Sequence, residues 1–288
     1  MDDLAGRRAL VTGASRGIGA AIAIRFAAAG AAVAITARTD REEASDGPGS
    51  LADTLRAVEA AGGKAVALTA DLSRPDGGRS GLVRRAEEAL GPIDILVNNA
   101  GAGGFAPFLD VTDQAIDHVL EVNLRSPWDL CRQALPGMRG RGTGWIINIG
   151  SFAGEHPVGP PYRDTPPNMR GSLYGSSKAA LHRLSTALAA ETVADGIAVN
   201  VLSPDGAVKV RDDWPYPDDV TEPVETMAEA ALALASCPPP PALTGRLAYS
   251  LSLLVELARP VRTLDGSALV DGWQPHQINR ARLRHPPA

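Results

Sequence analysis

Only two cysteines, Cys131 and Cys237, occur in this chain, too few for a disulfide framework. No apolar run reaches the roughly 18 residues that a membrane-spanning helix needs. Neither sign of charge dominates: 28 Lys and Arg stand against 33 Asp and Glu, for a net charge of −5. The two signs are interspersed, so no basic face for nucleic acid is expected. The five histidines, His118, His156, His182, His276 and His285, lack the spacing of a metal site, and no metal is expected. The first residues, Met1-Asp2-Asp3-Leu4-Ala5-Gly6, run straight toward an apolar strand without a signal-peptide pattern. No internal repeat is visible. The expectation is a soluble, cytoplasmic protein that binds neither nucleic acid nor membrane.

What the chain does have is enough apolar material for a full core: 288 residues, of which 44% are hydrophobic. Its organising stretch is Leu10-Val11-Thr12-Gly13-Ala14-Ser15-Arg16-Gly17-Ile18-Gly19. A short apolar run ends in a glycine turn, and a helical pattern follows with Ile18, Ile22 and Phe26 on one face. Strand, glycine turn and helix start form a receptacle for a pyrophosphate. Glycines allow close backbone approach, and the free N–H groups at the helix start favour an anion.

The rest of the chain keeps alternating. Helix one is expected to stop at Gly30, with strands at residues 32–37, 64–69, 93–97, 145–149 and 197–202. Between them lie helices at about 51–61, before Gly91, at 113–138 with Pro127 bending it, and at 174–194. An irregular segment at 155–172 holds Pro157, Pro160, Pro161, Pro166 and Pro167. Residues 204–222 read as an acidic, proline-rich loop or lid, 224–235 as a helix, 237–241 as a rigid linker and 246–249 as a seventh strand. From Pro260 on there is no strong pattern. This alternation predicts an α/β fold: a doubly wound parallel sheet, the Rossmann arrangement, in one domain. Within it, about 6–204 would be the cofactor-binding and catalytic core, 205–241 the lid and its helix, and 242–288 a C-terminal segment.

Chemistry concentrates at Tyr174-Gly175-Ser176-Ser177-Lys178. Tyrosine and lysine four residues apart share a helix face. A phenol titrates near pH 10, too high for acid–base work at neutral pH, and a nearby ammonium would lower it. Such a tyrosine can exchange a proton with an alcohol or carbonyl while a nicotinamide exchanges the hydride. Ser151, past the fifth strand, could hydrogen-bond the same oxygen. Arg38 stands just past the second strand, Ala37 occupies the place of an acid that would hold a 2′-hydroxyl, and Arg16 lies in the glycine turn. Arginine there suits a 2′-phosphate, which selects NADP(H).

Taken together, Thr12-Gly13-x-x-x-Gly17-Ile18-Gly19, Asp71, Asn98-Asn99-Ala100-Gly101, Asn123, Ser151 and Tyr174-x-x-x-Lys178 resemble the short-chain dehydrogenase/reductase family over about residues 6–204. The resemblance implies a tetrad: Tyr174 as acid/base, Lys178 lowering its pKa and holding the nicotinamide ribose, Ser151 orienting the carbonyl, and Asn123 holding a water. It also implies cofactor contacts from Gly13, Ser15, Arg16, Gly17, Ile18, Gly19, Arg38, Asp71, Leu72, Asn98, Ala100, Gly101, Tyr174, Lys178 and Pro204, with Asp71 at the adenine and Asn98 near its ribose. A homodimer or homotetramer through the helices of 113–138 and 174–194 is implied as well.

Two departures stand out. The proline-rich 155–172 segment lengthens the gap between Ser151 and Tyr174. After the sixth strand Pro204-Asp205-Gly206 replaces the family's Pro-Gly, and Val208-Lys209-Val210 lacks the threonine often found there. Cys131 reads as core, Asp212, Asp213, Asp218 and Asp219 as a solvated loop, and Trp214 and Tyr216 as either substrate contacts or packing. The expected activity is NADP(H)-dependent interconversion of a ketone and a secondary alcohol, of the carbonyl reductase type. Its rivals are a cofactor-binding sensor or scaffold, disfavoured by the intact tetrad, and an epimerase or dehydratase, disfavoured by the glycine spacing and the lack of a substrate domain.

Overall fold

Alternating apolar residues at the start of the chain place it in the middle of a sheet. The computed structural model describes residues 3–38, 49–157, 159, 171–210, 221–238 and 242–271. Strand β1 (Arg8–Thr12) sends Ala9 and Val11 into one core and Leu10 into the other, as the two faces of a strand require. The glycine turn leads into α1 (Gly17–Ala28), which ends where the sequence predicts, with Gly30 left-handed at φ +94°. Then come β2 (Ala32–Ala37), α2 (Leu51–Ala60), β3 (Lys64–Thr69), α3 (Leu82–Leu90) and β4 (Ile95–Asn98). Helices α4 (Asp113–Leu120) and α5 (Ser126–Arg141) are joined by a π-helical turn, Glu121–Arg125. The core closes with β5 (Gly144–Ile149), α6 (Ser172–Thr192) and β6 (Ile197–Ser203).

All strand pairs of the main sheet are parallel, in the order β3-β2-β1-β4-β5-β6-β9, where β9 is Leu247–Tyr249. The order reverses between β1 and β4, and the crevice at the carboxyl ends of these strands is where ligands bind in such sheets. On one face pack Phe26 of α1, Val58 of α2 and Met227 of α7 (Val224–Ser236); on the other pack Leu82 of α3, Leu130 of α5 and Ala189 of α6. The doubly wound, single-domain α/β fold read from the alternation is the one observed.

Local differences have physical reasons. Pro127 does not bend a regular helix; the irregularity is the π turn just before it, where the Ser126 N–H reaches back to the Glu121 carbonyl. Proline has no N–H, so the Asn123 carbonyl loses the donor an α-helix would supply, and a widened turn absorbs the defect. Residues 204–222, read as a loop, contain two short parallel strands, β7 (Ala207–Lys209) and β8 (Thr221–Pro223). The seventh strand is present as β9, stitched to β6 by Asn200, which donates to Leu243 O (2.9 Å) and accepts from Arg246 N (3.0 Å). Helix α8 (Ser250–Glu256) follows directly and carries no sequence signal. Its N-terminal amides, Leu251 and Ser252, donate to the Asp205 carboxylate at 2.8 and 2.9 Å, a capping group remote in sequence. Most of the proline-rich insert, and with it Pro160, Pro161, Pro166 and Pro167, lies outside the described residues, as do Asp212, Asp213, Trp214, Tyr216, Asp218, Asp219, His276 and His285.

Candidate active site

Thr12 welds the end of β1 to the turn after β4. Its hydroxyl accepts the N–H groups of Asn99 (3.0 Å) and Ala100 (3.1 Å) and donates to Val97 O (3.3 Å). Asn99 in turn donates to the carbonyls of Thr12 and Gly13 at 2.8 and 3.0 Å. This weld is what demands glycine: a Cβ on Gly13 would stand 2.7 Å from Ala100 Cα, and one on Gly19 2.3 Å from Asn99 Nδ2. Gly17 is left-handed at φ +58°, and a Cβ there would meet Val210, just past β7, at 3.5 Å.

Helix α1 opens without a cap. Arg16 at the N-cap makes no side-chain bond to it, and the first turn holds no acid. Helices α2 and α4, by contrast, are capped by Ser50, in a capping box with Asp53, and by Thr112. The amides of Gly17, Ile18 and Gly19 thus form the positive end of a helix that no side chain of its own satisfies. A glycine cradle with no room for side chains, before an uncapped helix, fits a dinucleotide pyrophosphate.

Beside it lies a cleft of about 480 Å³ whose walls include Gly13, Ser15, Arg16, Arg38, Asp71, Leu72, Ala100 and Gly101. The Asp71 carboxylate accepts the Ser73 N–H and hydroxyl at 2.9 and 2.7 Å. Burial opposes its charge, but the Ser73 bonds and the charges of Arg74 and Arg38 outweigh it and hold the carboxyl below its ordinary value. Arg38 therefore stands close enough to act on Asp71. Arg16 and Arg38 are both exposed on this wall, while Asp40, Glu42 and Glu43 fall outside the described residues.

Not every expected contact faces the cleft. Asn98 is buried, and its side chain donates to Asn148 Oδ1 (2.8 Å) and toward Cys131 Sγ (3.6 Å), on the α5 side of the sheet. Ile18 packs against the core, Gly19 is enclosed by the weld, and Pro204 directly follows β6. Cys131 is core as read, with burial pushing its thiol up to about 12.

At the other end, α6 sets Tyr174 and Lys178 on one face. The Tyr174 hydroxyl meets that of Ser151, which also accepts the Ala153 N–H at 3.2 Å. Burial holds the phenol above its ordinary value, and the Ser151 hydrogen bond partly offsets this. The depression expected from Lys178 is not among these influences. Its ammonium donates to Ile149 O at 2.8 Å and stands 5.7 Å from the tyrosine ring centroid. Burial alone lowers Lys178 to about 8. Asn123, at the π turn, donates to Ala102 O (2.9 Å) and Ser177 Oγ (3.0 Å) and accepts the Ala102 N–H (2.7 Å). Its side chain thus braces the glycine turn after β4 against α6. Gly101 closes the link: a Cβ there would lie 3.6 Å from Asn123 Oδ1 and 3.8 Å from Lys178 Nζ.

Several contributors carried no readable signal. Arg79 is fully buried and holds Leu72 O (2.9 Å), Glu121 (2.6 Å) and Asp129 (3.1 Å), tying the Asp71–Leu72 wall of the cleft to the π turn. Phe105 lays its ring 4.9 Å from that of Tyr174. His118 lines the cleft, and His182 meets the Ser151 backbone. Among the described residues no His, Cys, Asp or Glu cluster could hold a metal, and no helix is long and apolar enough to cross a membrane.

The family model for short chain dehydrogenases matches residues 7–213, and the chain belongs to that family. It is 37% identical over 204 residues to the ketoacyl reductase HetN of Nostoc sp., a match covering 71% of this chain and 64% of the relative. To the rhamnolipids biosynthesis 3-oxoacyl-[acyl-carrier-protein] reductase of Pseudomonas aeruginosa it is 40% identical over 209 residues, 70% of this chain and 73% of the relative. The matched stretch therefore spans just under two thirds of HetN. Among solved structures, a metagenomic short-chain oxidoreductase in complex with NADP superposes with TM-score 0.70 at 32% identity, covering 86% of this chain and 98% of that one. A 3-oxoacyl (acyl-carrier-protein) reductase from Agrobacterium tumefaciens C58 with NADP bound gives 0.71 at 33%, covering 85% and 93%.

Proposed function

We propose that this protein is an NADP(H)-dependent oxidoreductase that interconverts a ketone and a secondary alcohol, with Tyr174 as the acid/base. The observation that carries this reading is the meeting of the Tyr174 and Ser151 hydroxyls, with buried Lys178 one helical turn on. The nicotinamide cofactor, when bound, supplies or accepts the hydride. The chain's own part is to orient the substrate oxygen with the Ser151 hydroxyl and to pass it a proton from, or return one to, the Tyr174 hydroxyl. Lys178 places a positive charge at the floor of the site, and Asn123 fixes the distance between the two walls. Arg16 and Arg38 would hold the 2′-phosphate, a reading supported by the NADP found in related structures. A carbonyl substrate accords with the ketoacyl and 3-oxoacyl reductases among the relatives. Phe105, half exposed beside Tyr174, would be an apolar wall for that substrate. We place the protein in the cytoplasm as a homodimer or homotetramer through α4, α5 and α6, with Leu120 of α4 and Trp128 of α5 exposed.

The test is NADPH oxidation across a panel of ketones, for the wild type and Tyr174→Phe. Turnover should fall about 10²–10⁴-fold in the variant, the usual weight of a general acid–base group, with cofactor affinity kept within a few-fold. Near-wild-type kcat would remove Tyr174 from the reaction. Cofactor binding with no turnover on any carbonyl, even in the wild type, would favour a sensor.

A further inference from the structure

The Tyr174 face of α6 continues past Lys178 to His182, four residues further on. This histidine is 8% exposed, and its Nε2 accepts the backbone N–H of Ser151 at 3.4 Å. The turn that carries Ser151 is folded around the ring. A Cβ on Gly150 would stand 2.7 Å from Nε2, and one on Gly154 2.6 Å from Cε1. Glycine on either side of Ser151 is therefore what lets the imidazole enter, and the ring in turn fills the space those glycines leave. On its other side the turn is held at its start by Gly150 N donating to Leu202 O at 2.8 Å, and just past its end by the Tyr249 hydroxyl donating to the Glu155 carboxylate.

We infer that His182 is a positioning residue for the reaction: it accepts the Ser151 N–H and sets the height of the Ser151 hydroxyl against Tyr174. One helix row thus carries the acid/base, the cation and the gauge for the substrate-orienting serine, so that Tyr174 and Ser151 are registered to the same rigid element. An N–H pointing at Nε2 requires a lone pair there, so the ring is neutral with its proton on Nδ1. Burial, reinforced by the charge of Lys178, keeps the ring in that state by lowering its pKa to about 4. Removing the acceptor would leave a buried amide unpaired and the serine free to drift, and sub-ångström misplacement is costly in a reacting site.

The inference rests on Ser151 and Tyr174 acting as proposed above, and a double-mutant cycle separates the two. His182→Leu should lower kcat about tenfold, from one unpaired buried donor, while NADPH affinity by fluorescence titration and the fraction of sites that bind it stay as in the wild type. His182→Gln, whose amide oxygen can reach the Nε2 position, should restore kcat to within about threefold, and the shorter His182→Asn should not. In a Ser151→Ala background His182→Leu should cost less than about twofold, because the group it positions is gone. In the unliganded wild type at pH 7, imidazole ¹⁵N shifts should show Nε2 bare and Nδ1 protonated. Equal losses with and without Ser151, Gln no better than Leu, or a protonated Nε2 would each overturn the role of His182. If Ser151→Ala alone keeps full kcat, the assignment of Ser151 fails and the inference falls with it. Should the Leu variant not fold, the Gln–Asn contrast and the ¹⁵N signature decide.

Discussion

At the end of the cleft proposed for the pyrophosphate, main chain lines the glycine turn and side chains are kept out of it. Gly13, Gly17 and Gly19 leave no Cβ where Ala100, Asn99 and Val210 approach, and α1 starts with its amides uncapped. At the catalytic end the opposite holds. Asn123, Ser151, Lys178 and His182 are all buried side chains, each fixed by a hydrogen bond to another element. A diffuse anion is met well by several converging N–H groups, whereas a proton must be handed over at one point, which takes a side chain held in place.

The largest effect is expected at the catalytic end. Lys178→Ala should lower kcat at least about 100-fold and weaken NADPH binding as well, since one cation is assigned to both. A loss of rate with cofactor affinity unchanged would confine Lys178 to the proton chemistry and sharpen the division between the two ends.

At the phosphate end the sensitive test is an added methyl group. Gly19→Ala would push against Asn99 Nδ2 and Gly13 O, 2.3 and 2.4 Å from the new Cβ, and should cost about 1–3 kcal/mol of stability together with NADPH binding. Gly140→Ala is the control, because nothing lies within 4 Å of its Cβ and it sits within α5. Helix propensity there favours alanine by up to about 1 kcal/mol, so its melting temperature should hold or rise. Equal behaviour of the two variants would mean that the weld through Asn99 does not constrain the turn.

Cofactor choice comes next in size. Arg38→Ala should reduce the preference for NADP(H) over NAD(H) about tenfold in kcat/KM, the worth of one charge-assisted bond, and added salt should shrink the wild-type preference. Comparable efficiency with NADPH and NADH in the wild type would sink the assignment.

The smallest effect concerns the buried end of β8. Glu222 is fully buried and accepts the Gly206 N–H (3.0 Å) and the hydroxyls of Ser250 (2.6 Å) and Thr226 (2.5 Å). Burial raises its carboxyl from 4.5 to about 7. Because the folded value is the raised one, its contribution is full below about pH 4.5 and is lost as pH rises through about 7. Glu222→Gln cannot ionise, so its melting temperature relative to wild type should climb by a few degrees between pH 5 and pH 8. A difference that stays constant with pH would show that Glu222 keeps one protonation state across that range.

How much of this could be read in advance differs along the chain in the same way. The first six strands were legible because they are long apolar runs between glycines, and the parallel sheet follows from their alternation with helices. The glycine turn and the Tyr174/Lys178 pair were legible because each is local, its residues within one turn or one helix face. Ser151 was legible from its place past the end of the fifth strand, whereas Asn123 and Asp71 owed their place to a family pattern, since nothing local marks them.

What the amino-acid sequence alone determined is therefore the strands and helices of the core, the glycine turn and the face of α6. The tertiary structure decided the rest. It turned Lys178 toward Ile149, buried Asn98 against α5, put Asn123 to bracing, and brought Arg79 and His182 to the site. It also built α8 on a cap from Asp205 and paired β7 with β8. Each depends on groups far apart in the chain, where the partner and not the residue type selects the role. A buried polar group takes whatever partner the packing offers, because leaving it unpaired costs more than any local preference it has.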